Sequence, residues 1–170
     1  MAYVTDGAIG INLDSPASAD TFNGSRPVGA TLGQSHIASD GSEWIFVVAG
    51  GAISRGDCVA IDNDTFSAAA ITSTATLVGK RIAFAQTAFT TSQYGFVAMR
   101  GQDLFIRVTG SAITPGVPLY TSDTAGALST ATASSSAFQV WGVFLSSTVS
   151  GTTASAGTGV ASFPMIRRPA

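Results

Sequence analysis

The chain has 170 residues, a formal net charge of -2 and only 11% charged residues, less than half of the share usual in globular proteins. This length suits one domain with a sizeable core, and the charge argues against a nucleic-acid partner because phosphate binding needs clustered Lys and Arg. The longest apolar run, Trp44–Ala49, is too short to cross a bilayer, so no membrane partner is predicted either.

The first forty residues differ in composition from the rest of the chain. They are rich in Gly, Ser, Asp and Asn and contain only isolated apolar residues. Such a segment cannot bury enough apolar surface to fold alone. We therefore predict an extended N-terminal arm over residues 1–40, which lies over its own barrel or over a neighbour, followed by one compact domain over residues 41–170.

From Glu43 onward, short apolar segments recur at the spacing expected of a β-sandwich or β-barrel. Strands are predicted near residues 43–49, 57–61, 66–72, 80–88, 94–100, 103–108, 117–121, 127–132, 138–146 and 159–166. No segment shows the 3.6-residue apolar period of an amphipathic helix. The fold class predicted for the domain is therefore all-β.

Two of these strands have a period of two that assigns side chains to faces. In the first, Leu104, Ile106 and Val108 are predicted to share one side. In the second, Trp141, Val143 and Leu145 are predicted to oppose Val140, Gly142 and Phe144. Both faces of the second strand are apolar, which predicts burial by the core on one side and by a second layer or subunit on the other.

One stretch of the sequence occurs twice, sixty positions apart. Gly51–Gly56 returns as Ser111–Gly116, and each copy is followed by similar apolar and Thr/Ala/Ser-rich segments. The pseudo-repeats lie near residues 50–100 and 110–166. A duplicated β unit of this kind predicts a small barrel or sandwich. The repeated glycines Gly56 and Gly116 are predicted to adopt a positive φ.

The motifs that could carry chemistry are weak. Asp62-Asn63-Asp64 resembles the start of a calcium loop, but Ser67 and Ser73 stand where Gly and Glu are needed. A polar turn with Asn or Asp in the left-handed conformation is predicted instead.

A hydrolase site and a cell-adhesion site are equally weakly supported. Ser35 and His36 would point to opposite faces of a strand, and no nucleophile elbow is present. Arg55-Gly56-Asp57 spells an adhesion tripeptide but coincides with the repeated turn.

Single reactive residues give no catalytic set. Cys58 is interpreted as a small buried residue. With one Glu and one His, the chain is short of general acids and bases, so no enzyme activity, cofactor or metal site is predicted.

In sequence order, four segments resemble the small capsid decoration (cement) proteins of tailed bacteriophages: Asp40–Ala49, Ala52–Asp57, Gly79–Gln86 and Tyr94–Val97. The resemblance covers residues 29–110, with the second repeat fitting more loosely. It does not extend to the N-terminal arm or to the loop Ser146–Thr158.

This resemblance implies a β-barrel protein that binds the outside of an assembled capsid, commonly as a trimer, and holds neighbouring major capsid subunits together. The expected partners are the major capsid protein and further copies of this chain, and the low surface charge agrees with assembly. The expected location is the outer capsid surface of the virion, after synthesis in the host cytoplasm.

Residues in the arm and the C-terminal tail are the candidate capsid or subunit contacts: Tyr3, Val4, Ile9, Ile11, Arg26, Arg167 and Arg168. An alternative function is a carbohydrate- or receptor-binding module of a viral fibre or capsid surface. Sugar rings would then stack on exposed aromatic side chains, for which Trp44, Trp141, Tyr94 and Tyr120 are available.

Overall fold

The computed structural model describes residues 30–73, 77, 79–110, 112–130, 137–150 and 154–167. These residues form ten strands and confirm the all-β prediction: β1 (Ser35–Ile37), β2 (Glu43–Ala49), β3 (Cys58–Ile61), β4 (Ser67–Ala70), β5 (Arg81–Phe84), β6 (Tyr94–Val108), β7 (Leu119–Thr121), β8 (Leu128–Ser129), β9 (Gln139–Leu145) and β10 (Ser155–Arg167). The strands predicted at 94–100 and 103–108 are the two ends of the long strand β6.

The first half of the domain is a closed five-stranded barrel. Its strands pair in the order β2, β4, β3, β5 and β6, and β6 pairs back with β2. Only the β2–β4 pair is parallel, at Val48 with Ser67 and at Ala49 with Ala68. A buried cluster that draws on all five strands fills this barrel: Ile45, Val47, Ala49, Ile53, Val59, Ile61, Ala68, Ala83, Ala85, Phe89, Val97 and Met99.

The second half repeats the same pairing, because β6 also pairs with β10 and the order continues through β9, β7 and β8. β8 returns to β6 in parallel at Leu128 and Val108, as β4 returns to β2. The bridge Ile53–Phe89 recurs sixty residues later as Ile113–Val149. Gly56 and Gly116 both have positive φ, 84° and 81°, as predicted. The duplication seen in the sequence is therefore present in the pairing of the strands.

A second, larger buried cluster joins the two halves. On the first half it contains side chains that point away from the barrel interior, among them Trp44, Phe46 and Phe96. On the second half it contains the alternating residues of β6 and β9, including Ile106 and Val143. Because this core is continuous, the two halves form one packed unit, and β6 contributes a strand to each.

The predicted boundary of the arm at residue 40 is displaced. Residues 35–37 form β1, which pairs with β2 through Ser35–Ile45 and His36–Trp44. Ala30 and Ala38 are buried in the larger cluster, and the His36 ring lies edge-on to Phe96 with centroids 5.4 Å apart. A three-residue strand between glycines is too short to show a period, which is why the sequence did not reveal it. The rest of the arm, residues 1–29, lies outside the described residues.

The face assignment is confirmed for β6, and in β9 it is wrong for Trp141 and Val140. Leu104, Ile106 and Val108 are buried together, as predicted. In β9, however, Trp141 is 45% exposed, whereas Val140 is buried in the same cluster as Val143. Gly142 lies between Trp141 and Val143 with φ 76°, and the register with β10 shifts at this point. A bulge of this kind interrupts the two-residue alternation, so Trp141 leaves the side of Val143.

Candidate functional site

The outer side of β9 and β10 carries a group of exposed apolar side chains that we call the apolar face. It consists of two cross-strand pairs, Trp141 with Met165 and Phe144 with Val160. Partners in an antiparallel ladder point to the same side of the sheet, and the exposure of all four side chains places both pairs on the outer side. Their exposed fractions run from 37% for Val160 to 61% for Met165. A group of neighbouring exposed apolar side chains is a candidate interaction surface.

The bulge between β9 and β10 creates this face. Between the flanking pairs, β9 has the single residue Gly142 and β10 has three residues, Ser162, Phe163 and Pro164. A Cβ atom on Gly142 would lie 2.6 Å from the Ser162 carbonyl oxygen, so only glycine fits there. Phe163 itself has φ 47° and is 47% exposed at the edge of the face. The extra residues allow both Trp141 and Phe144 to point outward while Val143 stays in the core.

Two arginines, Arg167 and Arg100, lie beside the apolar face. The Arg167 guanidinium lies 5.3 Å from the centroid of the Trp141 ring, within the range of a cation–π contact. Arg100 is the cross-strand partner of Ser162 in β10 and also of Glu43 in β2. Arg81 and Phe163 line a shallow pocket of about 370 Å³ that also includes Ser35. Of these charged side chains, Arg167 contacts the face, Arg100 lies beside it next to Glu43, and the Arg81 guanidinium lies 5.8 Å from the centroid of the Phe66 ring.

Of the candidate contacts proposed from the sequence, Arg167 lies at the apolar face. The others lie outside the described residues: Tyr3, Val4, Ile9, Ile11, Arg26 and Arg168. The apolar residues of the face itself were not among the candidates. The signal that could have identified them is Gly142 in the middle of an apolar strand, because an isolated glycine in a strand often marks a bulge.

The adhesion tripeptide Arg55-Gly56-Asp57 has a structural role. Asp57 is 2% exposed, and its Oδ1 atom lies 2.8 Å from Nη1 of Arg107. Its Oδ2 atom accepts a 2.7 Å hydrogen bond from the amide of Ser54, and the amide of Arg107 donates to the carbonyl of Gly56 at 2.7 Å. The carboxylate that a receptor would need is thus buried in an ion pair between the first half and β6.

The acidic turn that begins at Asp62 is closed by its own side chain. Oδ1 of Asp62 accepts hydrogen bonds from the Thr65 amide, the Thr65 hydroxyl and the Asp64 amide at 2.9–3.1 Å. These bonds, the one from the Thr65 amide foremost, lower the pKa of Asp62 to about 2. The left-handed residue is Phe66, with φ 53°, and the prediction of Asn or Asp there is wrong. Across the described ranges, no group of three His, Cys, Asp or Glu side chains could hold a metal ion.

Cys58 and His36 are both core residues. Cys58 is fully buried, and burial raises the pKa of its thiol well above the usual value, which confirms the interpretation of a small buried residue. His36 is 2% exposed, whereas the neighbouring Ser35 is exposed on the opposite face of β1. Ser35 and His36 therefore do not form a nucleophile–base pair.

A second pocket lies near the junction of the two halves. Its volume is about 590 Å³, and its lining includes Asp40, Arg55, Asp103 and Phe105. The Arg55 guanidinium lies 3.4 Å from the centroid of the Phe105 ring, so one face of this aromatic ring is already covered. Trp44, which also lines the pocket, is 3% exposed and donates its indole N–H to Ser42. The pocket thus offers little aromatic surface for stacking.

Comparison with protein-family models and with curated proteins finds no match to this sequence. Within the part of the chain that the structure describes, no helix has the length and apolar character needed to cross a bilayer. The apolar face is therefore interpreted from its own geometry.

Proposed function

We propose that this chain is a structural virion protein that binds the outer surface of a phage capsid and stabilises contacts between major capsid subunits. The resemblance to decoration proteins suggests the partner. The structural observation that carries the proposal is the apolar face on a rigid, closed β scaffold. In this function the protein contributes binding energy and catalyses no reaction.

The chemistry of the face suits a protein partner. Trp141 and Arg167 are of the residue types that dominate binding energy at protein interfaces. Burial of apolar surface contributes roughly 25 cal/mol per Å², and side chains held on a paired sheet lose little freedom when they bind. The arginines beside the face would orient the partner, since complementary charges set register more than affinity.

Self-association belongs to the same proposal. A homotrimer with closed rotational symmetry would present three copies of the face to the shell. Light scattering of the purified protein at micromolar concentration tests this part. A monomer of 17.1 kDa would exclude a preformed trimer. Whether the trimer forms on the shell would then be tested with assembled particles.

Stabilisation of the shell would follow from mass action. A ligand that binds only the assembled state stabilises that state, and interfaces repeated around a shell can each be modest. Because the face is mainly apolar, binding is expected to weaken little as salt rises from low to molar levels, unlike an interface built on ion pairs.

The test compares shells with and without the protein. Wild-type protein should bind shells and raise the temperature or internal pressure at which they fail. The double variant Trp141→Ser and Phe144→Ser should lose binding, whereas Asp64→Ser, an exposed change in the turn between β3 and β4, should bind as wild type. Equal particle stability, or no binding of the wild type, would exclude the cement function.

One observation favours the second candidate, a carbohydrate- or receptor-binding module. Trp141 is the most exposed of the four aromatic side chains considered for sugar stacking, and Arg167 beside it could donate hydrogen bonds to hydroxyl groups. A panel of immobilised glycans tests this alternative. Glycan binding that Trp141→Ala abolishes, together with no shell binding, would replace the capsid proposal.

A further inference from the structure

We propose that the N-terminal segment of this chain covers the apolar face in the free protein, through Ile9, Ile11 and Leu13. The proposal concerns the protein before it meets any shell and does not depend on capsid binding. It commits to one occupant, a segment whose sequence is known, and three independent observations support this choice.

The first observation is the pattern of the segment. Ile9, Ile11 and Leu13 alternate with the small or polar residues Ala8, Gly10 and Asn12. In an extended chain this places the three large apolar side chains on one side. A row of three apolar side chains on an extended segment is complementary to the apolar face, which consists of two cross-strand pairs on β9 and β10.

The second observation is charge. Three of the ten acidic residues precede residue 30, namely Asp6, Asp14 and Asp20, but only one of the eight basic residues does. Asp6 and Asp14 flank the alternating stretch on both sides. At the apolar face, Arg167 lies 5.3 Å from the centroid of the Trp141 ring, and Arg100 is the cross-strand partner of Ser162, with Glu43 beside Arg100.

This charge distribution favours the N-terminal segment over a second copy of the apolar face as the occupant. Two identical faces packed together would bring these arginines towards each other, which costs free energy when they lose water. The segment instead brings aspartates to the arginines and apolar residues to the apolar centre.

The third observation is where the segment joins the fold. The described chain begins at Ala30, and Ser35 shares the pocket of about 370 Å³ with Phe163, at the edge of the apolar face. The linking residues 14–29 can span up to about 50 Å when extended. This length reaches the face of the same molecule or of a neighbour.

The fluorescence of Trp141 tests the proposal in the full-length protein without a shell. The chain has two tryptophans, and Trp44 is 3% exposed, so acrylamide quenching that changes between variants reports on Trp141. Trp141→Phe assigns the signal. The variant Ile11→Asp places a charge on the apolar side of the segment, and the matched control Asn12→Asp places the same charge on the opposite side.

We expect Trp141 to be protected from acrylamide in the wild type and in Asn12→Asp. In Ile11→Asp the protection should be lost and the emission should shift to longer wavelength. Protection in the wild type that survives dilution would assign the segment to its own molecule, and protection lost on dilution would assign it to a neighbour's face.

Three results would overturn the proposal. Trp141 quenched equally in all three proteins would mean that nothing covers the face. Trp141 protected in all three would mean that a surface other than the segment covers it. Equal loss of protection in both Asp variants would remove the assignment of Ile11 to the face.

A second measurement does not depend on fluorescence. Mild oxidation of the double variant Ile11→Cys and Phe144→Cys should form a disulfide, because Cys58 is buried and does not compete. The matched double variant Asn12→Cys and Phe144→Cys should form it more slowly. Equal rates in the two variants would contradict the proposed contact. Because no capsid is present, failure here is distinct from failure of the cement function.

Discussion

Replacing Asp57 by Asn is expected to destabilise the protein at the junction between its two halves. Asp57 follows the repeated turn of the first half, and Arg107 lies in the part of β6 that belongs to the second half. Their side chains form an ion pair at 2.8 Å, with the Asp57 side chain 4% exposed and the Arg107 side chain 25% exposed. The substitution keeps the shape of the side chain and removes its charge.

The size of the effect follows from burial. Removing one partner of a fully buried ion pair costs about 3–5 kcal/mol, because the remaining charge is left without compensation. Arg107 keeps some contact with water, and the carboxamide oxygen of the substituted side chain could still accept the hydrogen bond from the Ser54 amide. A loss of about 2–3 kcal/mol is therefore expected for Asp57→Asn. For a chain of this length, that loss corresponds to a fall in Tm of roughly 5–10 °C.

The measurement is thermal and urea unfolding followed by circular dichroism. Asp64→Asn is the matched control, because it makes the same chemical change at an exposed position. In the double variant Asp57→Leu and Arg107→Met, part of the loss should be recovered, since the uncompensated charge is gone. If Asp57→Asn unfolds at the same temperature as Asp64→Asn, the ion pair does not stabilise the junction and this reasoning fails.

Three further predictions concern the boundary of the fold, the repeated turn and the acidic turn. Removing residues 1–29 should lower the Tm only through loss of the proposed cover on the apolar face, whereas removing residues 1–40 should lower it further, because the longer deletion also removes β1 and its buried side chains. Equal Tm values for the two deletions would contradict the assignment of β1 to the fold. Gly56→Ala should lower the free energy of unfolding in urea more than Gly116→Ala does. At both positions an alanine with positive φ carries strain of about 1–2 kcal/mol, but only at Gly56 would the new Cβ atom lie 3.1 Å from the Arg107 amide nitrogen. A larger loss of stability in Gly116→Ala would refute this prediction. The pKa of Asp62 is depressed, so the stabilising effect of its carboxylate is present above the unfolded-state pKa of roughly 4 and is lost as the pH falls through the folded-state pKa of about 2. The difference in unfolding free energy between the wild type and Asp62→Asn, measured in urea, should vanish over that pH interval. A difference that stays constant with pH would rule out this linkage.

The origin of the face shows where local pattern stops being sufficient. Along 138–146 the sequence alternates in a way that assigns Trp141 to the side of Val143 and Leu145. The structure turns Trp141 outward because three residues of β10 lie opposite the single residue Gly142. That mismatch is a property of the register between two strands, which neither strand encodes alone.

By itself, the sequence determined the all-β class, the positions of most strands and the duplication. These features depend on contacts between near neighbours, namely side-chain alternation and turns such as the one at Gly56 that require a positive φ. Only the tertiary structure decided the pairing of β1, the burial of Asp57 against Arg107 and the exposure of Trp141. Each of these depends on which distant residue becomes the neighbour once the sheet closes, and closure is set by the pairing of the whole sheet rather than by any short stretch of chain.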